Sequence, residues 1–237
     1  MSNGPFALWR WARLFNDRGV FAEGLLTTLL VSALALSMAL IIGVVLGLCS
    51  TSRNRILKTV ARVYVEFFQN TPLVIQVFFI YNALPMIGVR WDVFTIGAVG
   101  VGVYHGAYVA EVVRAGIHSI PPGQSEASRA QGFTHLQTMW YVVLPQTIQI
   151  ILPPLTNQAV NLIKNTSVLA IIAGGDLMYR ADSWASNGAL SYAPAYIVTG
   201  LLYFILCFPL ATWARRYEER LKSRDIIHEP LEEVVEC

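Results

Sequence analysis

Two long stretches of this chain carry no charged side chain: Gly24 to Ser52 and Phe67 to Val89. A third runs from Val93 to Ala110. A helix that crosses a bilayer needs about 20 mostly apolar residues, so these runs commit much of the chain to lipid before any motif is considered. Composition agrees, with 14% charged and 55% hydrophobic residues, against about 25% charged in soluble domains. The runs predict spans near residues 25–48, 71–89 and 93–113. Two more are expected near 150–173, which contains Lys164, and near 193–214. The expected fold class is all-α: a polytopic membrane protein with five transmembrane helices. One domain covers residues 1–237, since neither a repeat nor a linker divides it.

Five spans place the two ends of the chain on opposite sides, and Lys and Arg decide which is which. With the C-terminus inside, the cytoplasmic pieces hold Arg53, Arg55, Lys58, Arg62, Arg114, Arg129, Arg215, Arg216, Arg220, Lys222 and Arg224. The outer pieces hold only Arg10, Arg13, Arg18, Arg90 and Arg180. The bias predicts N-out, C-in, with a cytoplasmic tail over 215–237 whose acidic end is solvated. Residues Leu8 to Phe15 lack the apolar run of a secretory signal and read as an amphipathic helix at the interface.

Between the third and fourth spans lies a polar loop, residues 116–145. It contains Pro121-Pro122-Gly123, then Glu126-Ala127-Ser128-Arg129-Ala130-Gln131-Gly132, and closes on Leu144-Pro145. Pro stops one element and Gly132 ends the next. Between them, Glu126 to Gln131 predicts a short helix with Glu early and Arg late. Its small residues let a partner approach the backbone. Glu126, Ala127, Gly132, Leu144 and Pro145 resemble the EAA loop of bacterial ABC importer permeases, with Ser128 standing where that pattern has a second Ala. The resemblance implies that Glu126, Ala127, Ser128 and Gly132 form a coupling helix that docks on an ATPase subunit.

Three further segments narrow the resemblance to the polar amino acid uptake branch, and extend it over nearly the whole chain. They are Tyr64 to Gln76 with Asn70-Thr71-Pro72, Ala107 to Ile117, and Leu162-Ile163-Lys164-Asn165-Thr166-Ser167. The implied fold is the ABC type I importer permease. The implied localisation is a bacterial inner (plasma) membrane, multi-pass. The implied partners are a cytoplasmic ABC ATPase dimer, a periplasmic or surface amino acid-binding protein, and a second permease subunit, identical or homologous. Asn70-Thr71-Pro72 also suits a helix start. Glu111 and Arg114, three apart, form a gate or a structural ion pair. His105 is expected to serve helix packing.

The fourth span crowds polarity into an apolar helix. Polar groups within lipid are costly and face a bundle interior or an aqueous cavity. Gln158 and Asn165 are seven apart and share a face, and Asn161 joins them. With Lys164, Thr166 and Ser167, and Thr71 from the second span, they are the candidate substrate-binding residues; interhelical hydrogen bonding is the alternative. Relatives that import cationic amino acids tend to carry Glu and Asp at the positions resembling Gln158 and Asn165. Here both are amides. The expected substrate is therefore glutamate, aspartate or glutamine, with arginine or histidine as the alternative.

Other classes are disfavoured. The net charge of +2 does not suggest nucleic acid. Cys49, Cys207 and Cys237 lack metal or redox spacing. No Gly-x-x-x-x-Gly-Lys run is present, so ATP and Mg belong to the partner ATPase and no cofactor is expected in this chain. His-Glu-x-x-His and Gly-x-Ser-x-Gly are absent, which argues against an intramembrane enzyme. The lack of a repeat argues against a self-contained secondary transporter.

Overall fold

The computed structural model describes residues 4–187 and 191–228. The acidic tail with Glu229, Glu232, Glu233 and Glu236, together with Cys237, lies outside the described residues. Those described form helices joined by short turns, with no strand among them. In order they are α1 (Leu8–Asn16), α2 (Arg18–Thr51), α3 (Arg55–Gln69), α4 (Leu73–Met86), α5 (Val93–His118), α6 (Pro122–Ala130), α7 (His135–Thr138), α8 (Leu144–Asn165), α9 (Leu177–Ser186) and α10 (Tyr192–His228). A π-helical turn, Met139–Val143, joins α7 to α8, and a 3₁₀ helix, Thr166–Ile172, follows α8. Pro145 explains the π turn, because it has no N–H to give the carbonyl four residues back.

Helix α5 is the spine. Its buried residues, including Ala98, Val101, His105, Val109 and Val113, surround the helix, as expected of an apolar helix at the centre of a bundle. It packs most closely on α2, which turns a stripe of every fourth residue toward it: Val31, Ala35, Ala39, Gly43 and Gly47. The glycines set the approach. A Cβ on Gly43 would sit 2.3 Å from Cγ1 of Val109, and one on Gly47 would sit 2.6 Å from Cβ of Val113. Small residues let helices associate this closely in lipid, where dispersion rather than water exclusion drives packing.

Helices α2, α5 and α10 are each long and apolar enough to cross a membrane. The span expected near 71–89 is divided differently. Helix α4 is only 14 residues long, and α3 precedes it at a 99° bend. The break falls at Asn70-Thr71-Pro72, so this motif does open a helix, with Pro72 as the N-cap of α4. Side chains satisfy the carbonyls freed at the end of α3. Asn70 Nδ2 donates to Glu66 O at 2.7 Å and Thr71 Oγ1 to Phe67 O at 2.8 Å. Gln76 Nε2 donates to Phe68 O at 3.2 Å and to Thr71 Oγ1 at 2.6 Å. Without such partners each buried carbonyl would be costly in lipid. Two bonds tie the second half of α3 to the middle of α5: Tyr64 Oη to Val103 O at 2.7 Å and Gln69 Nε2 to Ala107 O at 3.4 Å.

At one end of the bundle α1 packs beside α9. Trp184 Nε1 donates to Asp17 Oδ2 at 2.8 Å, and the Trp184 ring meets Phe21 edge to face at 5.6 Å. Leu14 is buried beneath α1, while Leu8 and Phe15 remain exposed. This is the amphipathic pattern expected of an interfacial helix.

Candidate substrate cavity and coupling surface

Gln158, Asn161, Lys164 and Asn165 line one cavity of about 460 Å³. This size suits a small-molecule site. The opposite wall comes from α5: Tyr104, His105 and Tyr108. The hydroxyls of Tyr104 and Tyr108 lie 2.9 Å apart, and Asn165 Nδ2 lies 3.0 Å from His105 Nε2. No carboxylate is among the lining residues, and Lys164 is their one cation.

The other expected site residues lie elsewhere. At Thr166 the α-helix tightens into the 3₁₀ helix, and the side chain turns into the bundle. Its Oγ1 donates to Ile163 O at 2.7 Å and the residue is fully buried. Ser167 joins Lys164 on a second cavity, of about 450 Å³, with Met178, Tyr196, Thr199 and Tyr203. Thr71 is engaged in the α3–α4 break. His105, expected to serve helix packing, is buried and hydrogen-bonded to Asn165 of the stripe. The sequence held a signal for it: Tyr104, His105 and Tyr108 are polar groups clustered in a span that carries no charge at that depth.

The loop after α5 is a rigid helical unit. Pro122 begins α6 rather than only stopping α5, a position where its missing N–H is harmless. Glu126 therefore lies mid-helix, not in the first turn as expected, while Arg129 does fall in the last turn. Gly132 takes φ +87°, and the N–H of Phe133 reaches Ser128 O at 3.1 Å, a Schellman-type exit that favours glycine. Thr134 and Gln137 form a capping box that starts α7. Ser128 turns inward and its hydroxyl lies 2.9 Å from Thr138 Oγ1. The residue that departs from the loop pattern thus clamps α6 to α7. Glu126, Ala127 and Arg129 face outward. Leu136, Trp140 and Tyr141, two-thirds or more exposed, extend an apolar surface along the same unit.

Glu111 and Arg114 form the local ion pair that their spacing predicts, with Arg114 Nε 2.9 Å from Glu111 Oε2. They line a polar cleft of about 370 Å³ with Lys58, Arg62, Glu66, Gln69 and His118. The cleft is distinct from the amide cavity. Among the described residues no cluster of His, Cys, Asp and Glu could hold a metal ion.

The helical architecture, the bend between α3 and α4 and the amide-lined cavity describe a membrane transport component. The chain belongs to the family of binding-protein-dependent transport system inner membrane components, whose model matches residues 20–223. It is 40% identical over 210 residues to a probable glutamine ABC transporter permease protein, GlnM, of Bacillus subtilis (strain 168), covering 89% of this chain and 97% of that one. It is 35% identical to the arginine transport system permease protein ArtQ of the same organism, covering 86% of this chain and 93% of that one. A crystal structure of an amino acid ABC transporter with histidines superposes with a TM-score of 0.82 at 33% identity, covering 88% of this chain and 97% of that one. The fold is therefore that of an ABC type I importer permease, and the chain is a permease component rather than an enzyme.

Proposed function

We propose that this chain is the permease subunit of an ATP-driven importer of polar amino acids, and that its substrate is glutamine in preference to a cationic amino acid. One observation carries the preference. The cavity between α5 and α8 presents three amides and a lysine but no carboxylate, so a cationic side chain would enter with no opposite charge to offset its lost hydration. The likeness to a probable glutamine permease points the same way. Arginine and histidine remain the alternative, favoured by the likeness to an arginine permease and to the transporter with histidines.

In this reading the chain is one membrane domain with five crossings, N-out and C-in. The α3–α4 pair forms the second crossing, and α8 with the 3₁₀ helix forms the fourth. Support comes from the gathering of α1 and α9 at one end of the bundle, which brings Arg10, Arg13, Arg18 and Arg180 of the expected outer pieces together. A second permease subunit, identical or homologous, completes the pathway. The exposed face of α6, with Glu126 and Ala127, docks on a cytoplasmic ATPase dimer that holds ATP and Mg. Closure of that dimer turns the cavity outward to a binding protein, and hydrolysis resets it. This is a two-state equilibrium biased by ligands that bind each state differently.

The test is uptake of labelled glutamine, glutamate and arginine into vesicles holding the permease, its ATPase and its binding protein, with wild type and Asn165→Asp. Glutamine uptake in wild type, with a gain for arginine in Asn165→Asp, is the expected result. Arginine uptake alone in wild type refutes the substrate assignment.

A further inference from the structure

His105 stands at the back of the cavity, only 2% exposed. Its Nε2 is 3.0 Å from Asn165 Nδ2 on α8. The rings of Tyr104 and Tyr108 flank it at 5.3 Å and 6.0 Å. The buried Nδ1 has no partner. The Asn165 amide is therefore the group that fixes the ring and is fixed by it.

An asparagine amide has a donor end and an acceptor end. Its nitrogen can only donate, so the ring nitrogen facing it must be the unprotonated acceptor. Once the Nδ2 end is committed to His105, Oδ1 is the end left for the cavity. A wall that presents amide oxygen accepts a hydrogen bond from a substrate N–H and repels a substrate oxygen. Lys164, with three donors and no acceptor, suits the carboxylate that every amino acid carries.

We infer that His105 is a positioning residue that turns the Asn165 amide so that a carboxamide side chain is accepted over a carboxylate. The inference rests on the function proposed above and deepens it. His105 makes glutamine, rather than its isosteric acid, the preferred ligand of the cavity. Sites built to hydrogen-bond one polar group discriminate strongly against an analogue that lacks it, because buried partners are left unpaired.

The experiment uses the reconstituted complex of permease, ATPase and binding protein. Competition of glutamine against glutamate for uptake is compared in wild type, His105→Phe and His105→Gln. The phenylalanine keeps a ring but offers no hydrogen bond; the glutamine restores one. The expected result is a loss of glutamine preference on the order of tenfold in His105→Phe. His105→Gln should recover most of the preference. An unchanged preference in a His105→Phe complex that still turns over ATP overturns the inference. Should that variant fail to assemble, ¹⁵N resonances of wild-type histidine decide. An unprotonated Nε2, assigned against His105→Gln, supports the inference, and a protonated Nε2 overturns it. The wild-type substrate profile separately tests the importer reading: arginine uptake alone would refute that reading and this inference together.

Discussion

Asp176 is fully buried in the turn between the 3₁₀ helix and α9, outside the expected spans. Its Oδ2 caps α9 by accepting from the Met178 N–H at 2.9 Å, while its Oδ1 has no partner. Burial pushes its carboxyl up from 3.8 to about 6, against the smaller opposing pull of the cap. The sign follows from linkage. The folded state holds this proton more tightly than the unfolded chain does. Stability is therefore full below the unfolded value and is lost as pH rises through about 6. A shift of this size is worth about 3 kcal/mol at pH 7.5, falling to about 1 kcal/mol at pH 4.5. Asp176→Asn keeps an oxygen for the cap and removes the titration. The variant is expected to be the more stable protein at pH 7.5, by about 3 kcal/mol or roughly 6–12 °C in Tm, and to lose most of that margin by pH 4.5. Thermal melts of detergent-solubilised protein, followed by intrinsic tryptophan fluorescence across this range, measure it. A difference between wild type and variant that does not change with pH would refute the reasoning.

Other substitutions test other parts of the molecule. Gly43→Ala places a methyl 2.3 Å from Val109 and should cost about 1–3 kcal/mol by overpacking, whereas Gly200→Ala, which meets no atom within 4 Å, should leave the melting temperature unchanged. Gln76→Leu strips the acceptors Phe68 O and Thr71 O of a donor and should lower stability by about 1–3 kcal/mol, read in the same melts. Gly132→Ala forces φ +87° on a residue with a Cβ, at about 1–2 kcal/mol. Like Glu126→Lys, it should leave insertion intact but uncouple ATP hydrolysis from uptake, and normal coupling in both variants would remove the docking role of α6.

The uncharged runs made α2, α5 and α10 legible, because a long apolar helix has few alternatives in lipid. The α3–α4 pair was less so. Arg55, Lys58 and Arg62 gave α3 the look of a cytoplasmic connection, and only the bonds from Tyr64 and Gln69 to α5 place its far half inside the bundle. Spacing alone put Gln158, Asn161 and Asn165 on one face, since regular α-helix holds through Asn165. Thr166, a candidate from the polar motif rather than from spacing, lies just beyond, where the helix turns 3₁₀ and the residue is fully buried. The contact between His105 and Asn165 joins residues 60 apart in sequence, and no local pattern reports such a contact.

The bent α3–α4 pair also bears on how the chain enters the membrane as it is made. At 1.5 Å per residue, the 15 residues of α3 and the 14 of α4 reach about 22 and 21 Å, each short of the roughly 30 Å hydrocarbon core. Set at 99°, the two lengths do not add. Neither limb is by itself an adequate stop-transfer segment, and the carbonyls at their junction depend on Gln76, which emerges later. Val77 seats against Gly100, and α3 is bonded to Val103 and Ala107, so the segment acquires its partners only once α5 has been synthesised. Under the proposed topology, residues 55–86 are therefore expected to enter lipid together with α5, as one unit.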